Sequence, residues 1–272
     1  MAITAKEVMN LRHRTGVGMM ECKKALSQTN GDFDAAIRLL RETLKGQMDE
    51  RSDRPAAEGV IAVARSDEPA GAIAMIQLLS ETDFTARNDS FIDASRKIAE
   101  LALAGPDGPV TATGQMTAII DQLRITIKEN ISLGEAVRFS GADNARFGAY
   151  VHHDRKKGAI LRAEGDLSDD LLTGLCMHIT AARPVPLAVD ETALPADQLE
   201  EQKQAAVAEA KATGKPEQIA EKIAAGKLRK WIDEHTLLGQ IYLRDMDAKK
   251  PVRNYLPKDA RITHFVRYGL GN

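Results

Sequence analysis

Little in this sequence is equipped for covalent chemistry. It has two cysteines, Cys22 and Cys176, too few for a disulfide framework and wrongly spaced for zinc, which suits a reducing compartment. Its six histidines, His13, His152, His153, His178, His235 and His264, show no metal-ligand spacing, and each reads first as a surface or satisfied core residue. No phosphate-binding G-x-x-x-x-G-K-[ST] loop and no G-x-S-x-G elbow occurs. "TGVGMM" at 15–20 is only a fragment of G-x-G-x-x-G, and no strand pattern precedes it. No metal or cofactor is implied, and an enzyme is unsupported. A basic excess is also lacking: 37 Lys and Arg stand against 39 Asp and Glu, a net charge of −2, which speaks against a broad nucleic-acid surface despite the local run "DRKKG" at 154–158. No apolar run approaches the ~18 residues of a membrane span. The N-terminal "MAITAKEVMN" has no apolar core for a signal peptide and reads as the start of a fold. Aromatics are scarce at 4%, so each one carries weight.

What is present is a globular composition, 43% apolar and 28% charged over 272 residues, enough for roughly two domains with real cores. Residues 1–45 read as a three-helix module. "TAKEVMNLRHR" places Thr4 and Glu7 at capping-box spacing with Val8 and Leu11 on one face. "TGVG" and "NGD" interrupt the pattern, and Ile37, Leu40 and Leu44 form the stripe of a third helix. A module this small works by presenting a surface. The polar stretch 46–58 reads as a linker or a helical extension.

From 59 the period shifts. "GVIAVARS", the turn "DEPAG" and "AGAIAMIQLLS" read as a hairpin, followed by helices over 91–104 and 114–131 and a strand at "EAVRFSG". The order then recurs in "RFGAYVHH", "DRKKG", "AILRAEGD" and "SDDLLTGLCMHITAARP". The expected fold is α+β: two related antiparallel sheet-plus-helix modules, 59–140 and 141–195, the second closed by a strand within 236–272. Inserted in the second module, between 141–195 and 236–272, the stretch 196–235 reads as an antiparallel helical hairpin whose thin apolar content is Leu199 and Val207 against Ile219, Ile223, Leu228, Trp231 and Ile232.

One joint does not fit a structural role alone. "SETDFTARND" at 80–89 links a strand to a helix, where a polar turn suffices, yet carries Phe84 beside Asp83. The residues leave two readings open: Asp83 caps the turn while Phe84 packs on the module's edge, or the pair faces a partner. The adjacent Met19 and Met20 pose a similar choice, since neighbours in a helix cannot share one face fully; they are core or edge residues, or flexible thioethers on a docking surface.

Four ordered stretches, "LRHRTGVGMMECKKAL" with "NGDFDAAI", "ETDFTARN", "MHITAARP" and "GKPEQIAEKIAAGKLRKW", together resemble the elongation factor Ts family, over nearly the whole chain. The resemblance implies a cytoplasmic guanine-nucleotide exchange factor, not an enzyme, that binds GDP-loaded elongation factor Tu, displaces its Mg²⁺ and promotes GDP release. It implies a UBA-like N-terminal bundle and a coiled-coil hairpin. It also implies that Thr82, Asp83, Phe84 and Thr85 enter the partner near its magnesium, and that Arg12, Met19 and Met20 dock on its GTPase domain with His152, or alternatively His153, as a further contact. No direct nucleic acid, membrane or cofactor is implied, and the choice between monomer and homodimer stays open. Ser80 stands where the family often has a cysteine, and some members continue past the final strand with a helical tail, whereas this sequence stops at Asn272. The rival expectations are a protein-interaction adaptor built on the helical bundle and an RNA-binding translation protein.

Overall fold

The computed structural model describes residues 3–49, 53–66, 71–141 and 144–271. Two compact units emerge, the first comprising Met1–Ala64, Ala74–Arg138 and Gly269–Asn272, the second Arg65–Ile73 and Phe139–Tyr268. The architecture is mixed helix and antiparallel sheet with helices at the N-terminus, so the α+β expectation holds at that level.

The first unit begins with α1 (Ala5–Thr15), α2 (Met19–Gln28) and α3 (Phe33–Asp49). The capping box forms as expected: the Glu7 amide donates to Thr4 Oγ1 and the Thr4 amide donates to the Glu7 carboxylate at 2.7 Å. Val8, Leu11, Val17, Cys22, Leu26, Leu40 and Leu44 close a core that also takes in Ile125 from a later helix, α6 (Gly114–Ile127). Gly16 makes that contact feasible. It ends α1 with φ 69°, and a methyl group there would sit 2.8 Å from Thr126 Cγ2. Helix α3 continues through 46–49 into the stretch expected as linker or helix; 50–52 lie outside the described residues.

The hairpin strands are β1 (Glu58–Ser66) and β2 (Ala72–Ser80); most of the turn expected between them, 67–70, lies outside the described residues. After α4 (Asp83–Ala86) and α5 (Asp89–Ala102) come the short β3 (Gly108–Pro109), α6 and β4 (Ser132–Ser140). The sheet order is β1-β2-β4-β3, with Gly108 opposite Arg138. Phe91, Ile98 and Ala102 of α5 and Met116, Ile120 and Leu123 of α6 bury against Ala74, Ile76 and Leu78 of β2, so both helices pack on the sheet through 3.6-period stripes. One boundary differs from the sequence expectation. The helix read over 114–131 stops at Ile127, because Lys128 adopts φ 65° and its amide donates to Arg124 O. Residues 129–131 are thereby released into a loop.

The second unit holds β5 (Ala145–Val151) and β6 (Lys157–Glu164), paired antiparallel with Gly148 opposite Leu161, then α7 (Asp169–Ala181) and, last in the chain, β7 (Arg261–Gly269) against β6. Leu172, Leu175, Cys176 and Ile179 of α7 bury on Ala159, Leu161 and Ala163. Helices α8 (Ala196–Ala212) and α9 (Glu217–His235) form the expected antiparallel hairpin, turned at Gly214 with φ 67°. Its seam is in part the one expected: five of the seven apolar residues read into it pack there, and four alanines join them. Ala206, Ala210, Ala220 and Ala224 pack with Ile223, while Leu199, Leu228, Trp231 and Ile232 gather with Ala188 and Leu194 at the base. Val207 and Ile219 are exposed. Among the described residues no helix is long and apolar enough to cross a membrane.

Candidate functional site

The joint at 80–88 is a short, heavily bonded turn. Strand β2 ends at Ser80, which is fully buried and donates its hydroxyl to Thr82 O at 3.0 Å. Thr82 is the N-cap of α4 and accepts from the Thr85 amide. Asn88 caps α5 in the same way, accepting from the Ser90 amide at 2.9 Å. Four-residue α4 is too short to be helical by its own propagation. A single carboxylate supports it: Glu129 Oε2 accepts from the Glu81 and Thr82 amides, both at 3.1 Å, and Oε1 from the Thr82 and Thr85 hydroxyls, both at 2.7 Å. In return the Asn130 amide donates to Glu81 Oε1 at 2.6 Å.

On this base Phe84 is 81% exposed. The reading in which it packs on the module's edge is therefore excluded. Asp83 is the first helical residue rather than the cap, and forms an exposed ion pair with Arg87 at 2.9 Å. Thr85 is buried, and the Thr82 and Thr85 hydroxyls are both turned to Glu129. Of the four residues singled out from the sequence in this turn, Asp83 and Phe84 make up its outer side and the two threonines hold it from within.

Met19 and Met20 open α2 and are 43% and 75% exposed, so neither belongs to the core. Arg12 is exposed in the last turn of α1. This bundle is bonded to α6 and its C-cap, the stretch that leads into Glu129: Gln122 Nε2 donates to Thr15 O at 2.8 Å, and Lys128 Nζ reaches Glu21 Oε1 at 2.7 Å. The Lys128 bond holds the Glu21 carboxyl below its ordinary pKa. One polypeptide stretch, 122–130, thus contacts both the bundle and the turn.

His152 belongs to the second unit, in the β5–β6 turn. It is half-buried, with Nδ1 3.0 Å from Asp154 Oδ1 and its ring 4.1 Å from that of His153, which is exposed. Burial raises the Asp154 carboxyl, but the bond from the Lys156 amide and the neighbouring His152 and His153 rings outweigh it and leave the pKa below its ordinary value. Both cysteines are buried free thiols, raised in pKa chiefly by burial, the opposite of a reactive thiolate. A hollow of about 600 Å³ in the second unit is lined by Arg229, Lys230, Asp233, Glu234 and Arg253 among others. Several of its charges pair with one another, Arg253 with Asp233 at 3.1 Å and Lys230 with Glu234 at 3.7 Å. Among the described residues no three His, Cys, Asp or Glu are grouped to hold a metal ion.

Glu129 is the residue that sequence reasoning missed. Read as part of a helix through 131, it had no reason to face the turn. The available signal was the polar run Lys128–Glu129–Asn130, which interrupts the apolar period of α6.

Residues 81–272 match the model of a family described as Elongation factor TS. Among curated relatives, elongation factor Ts of Thioalkalivibrio sulfidiphilus is 38% identical over 279 residues, covering 100% of this chain and 93% of the relative. That of Methylococcus capsulatus is 39% identical over 280 residues, and that of Halorhodospira halophila 36% over 282, each with 100% of this chain and 93% of the relative covered. The matched residues begin at the braced turn and run to the end of the chain, and the relatives extend the likeness through the N-terminal helices: the chain belongs to the elongation factor Ts family of translation elongation factors.

Proposed function

We propose that this protein is the guanine-nucleotide exchange factor for elongation factor Tu, acting in the cytoplasm and making or breaking no covalent bond. The observation that carries the reading is an exposed phenylalanine on a turn too short to stand alone yet held by one carboxylate. Phe84 and Asp83 enter the GTPase near its bound magnesium. Mg²⁺ demands near-octahedral geometry and few protein ligands, so a small displacement weakens it. Its departure leaves the diphosphate's charge less compensated, and GDP loosens. Burying the phenyl ring contributes about 2 kcal/mol toward the strain this imposes on the partner. The helices α1–α3, a UBA-like bundle in this reading, dock through Arg12, Met19 and Met20, with His152 as a further contact. The recurrence of hairpin then helix, in β1-β2-α5 and β5-β6-α7, supports a description as two related modules with α8–α9 as a coiled-coil insertion.

The test is release of fluorescent GDP from purified elongation factor Tu. Catalytic amounts of this protein accelerate release, and excess Mg²⁺ slows it. The coupling is reciprocal: whatever factor this protein takes from GDP affinity, GDP takes from its own. An adaptor would bind elongation factor Tu with an affinity indifferent to GDP, and that result would overturn the proposal.

A further inference from the structure

We infer that Glu129 is a positioning residue for exchange, acting through Phe84 without touching the partner. The inference rests on the exchange reading of Phe84 and adds what makes that side chain effective. An ionised carboxylate is acceptor-only, with about four lone-pair sites. Here the donors that fill them are the Glu81 amide, the Thr82 amide, and the Thr82 and Thr85 hydroxyls. They bracket Asp83 and Phe84 on both sides in sequence. The brace is doubled, since Glu81 accepts from the Asn130 amide while the Asn130 side chain donates to Arg54 O at 2.7 Å. With residues 81, 82 and 85 bound to one point, the Cα–Cβ direction of Phe84 is set before any partner arrives. Ordering the turn is then no longer a cost of association.

Glu129 stands where it does because Lys128 leaves the helix in the left-handed region. A continued α6 would carry its carboxylate around the helix and away from the turn. Thr82 and Thr85 accordingly act as the turn's internal hydroxyls, and the partner-facing pair reduces to Asp83 and Phe84.

The experiment compares the full chain with Glu129→Ala, Glu129→Gln, Phe84→Ala and the double variant Glu129→Ala/Phe84→Ala in fluorescent-GDP release from elongation factor Tu, together with amide hydrogen exchange. Glu129→Ala slows release by roughly tenfold, and in the Phe84→Ala background the same change alters release by less than about twofold, because coupled residues are not additive. Glu129→Gln stays within about threefold of the parent: its amide oxygen accepts from the two backbone amides while its NH₂ donates to the two threonine hydroxyls, which also have lone pairs. In Glu129→Ala the Glu81 and Thr82 amides exchange faster while those of β2 and α5 keep their protection, which separates a loosened turn from an unfolded unit. Slowed Phe84→Ala with unaltered Glu129→Ala overturns the positioning role alone, and so do losses that multiply in the double variant. If Phe84→Ala releases GDP normally, the exchange reading falls, and the role of Glu129 in it falls too.

Discussion

Glu129 in the first unit and Gln240 in the second do comparable work with different results. Each is one side chain that gathers several polar groups. Glu129 collects the amides and hydroxyls of 81–85. Gln240 donates to Pro184 O at 2.8 Å and Glu234 O at 2.7 Å, and its Oε1 lies 2.9 Å from His178 Nε2. The Leu243 amide donates to His178 Nδ1 at 3.2 Å, which fixes the proton on Nε2 and makes Gln240 Oε1 its acceptor. The difference lies in what the gathered groups carry. Around Gln240 they tie the end of α7, the end of α9 and the following loop, and His178 and Gln240 are both buried. Around Glu129 they carry Phe84 into solvent. The same chemistry closes a core in one place and aims a side chain in the other, so a polar hub becomes a functional feature only through what it leaves outside.

The comparison breaks most visibly if the second hub is removed. Gln240→Ala strips the His178 donor and two backbone carbonyls of their partner, and stranded polar groups cost about 1–3 kcal/mol each. We expect a stability loss of about 3 kcal/mol in urea titration, with GDP release per folded molecule unchanged. Normal stability with failing exchange would mean that this hub, too, serves the partner.

Phe84→Ala inverts that pattern. The ring is exposed, so its removal leaves the thermal midpoint of the free protein in place. Exchange should fall by roughly 30-fold, the equivalent of about 2 kcal/mol for an interface hot spot. A midpoint lowered in proportion to the lost activity would show that the phenyl ring supports the fold instead.

Periodicity made most of the fold legible. The capping box at Thr4 and Glu7, the stripes of α1 and α3, both hairpins and the α8–α9 pair follow from spacing and turn residues alone. Phe84 was legible as an anomaly, a bulky aromatic where a polar turn suffices. Its support was not. Glu129 lies 45 positions away in sequence from Phe84, and its role depends on Lys128 taking a left-handed conformation that nothing in its residue type demands. The hairpin seam was legible in part: Leu199, Ile223, Leu228, Trp231 and Ile232 pack as their spacing suggests, but Ala206, Ala210, Ala220 and Ala224 also line it, while Val207 and Ile219 are exposed.

Acid sharpens the contrast between the hubs. Burial lowers the pKa of His178, only partly opposed by its bond to Gln240. The folded form therefore stays neutral while the unfolded chain takes up a proton as pH falls below about 6.5. From this group, stability is flat above that value and declines below it, by at most about 1.4 kcal/mol per pH unit until the folded pKa is passed. Urea titrations from pH 8 to 5 should show the slope, and His178→Gln should remove its share. GDP release by the molecules that remain folded should not follow the same curve, because His178 takes no part in bracing the turn.

The smallest effect is expected where exposure has no hub behind it. Val207 and Ile219 present aliphatic side chains to solvent, as the turn presents Phe84, but what lies beneath them is the alanine seam of α8 and α9. Among the described residues no carboxylate or amide side chain fixes their direction through several bonds at once, and Lys227–Glu209 is an exposed pair joining the two helices, of a kind worth little. Replacing both residues by serine removes surface that is already partly in water, so stability should change by no more than about 0.5 kcal/mol, and GDP release should remain at the parent rate. Circular dichroism melts and exchange assays on the same preparation check both quantities. If the double serine variant exchanges slowly while melting normally, an exposed aliphatic pair on an unbraced hairpin is enough to engage the partner. The distinction drawn from Glu129 would then lose its force: position in the complex, rather than rigidity of the base, would decide which exposed side chain matters.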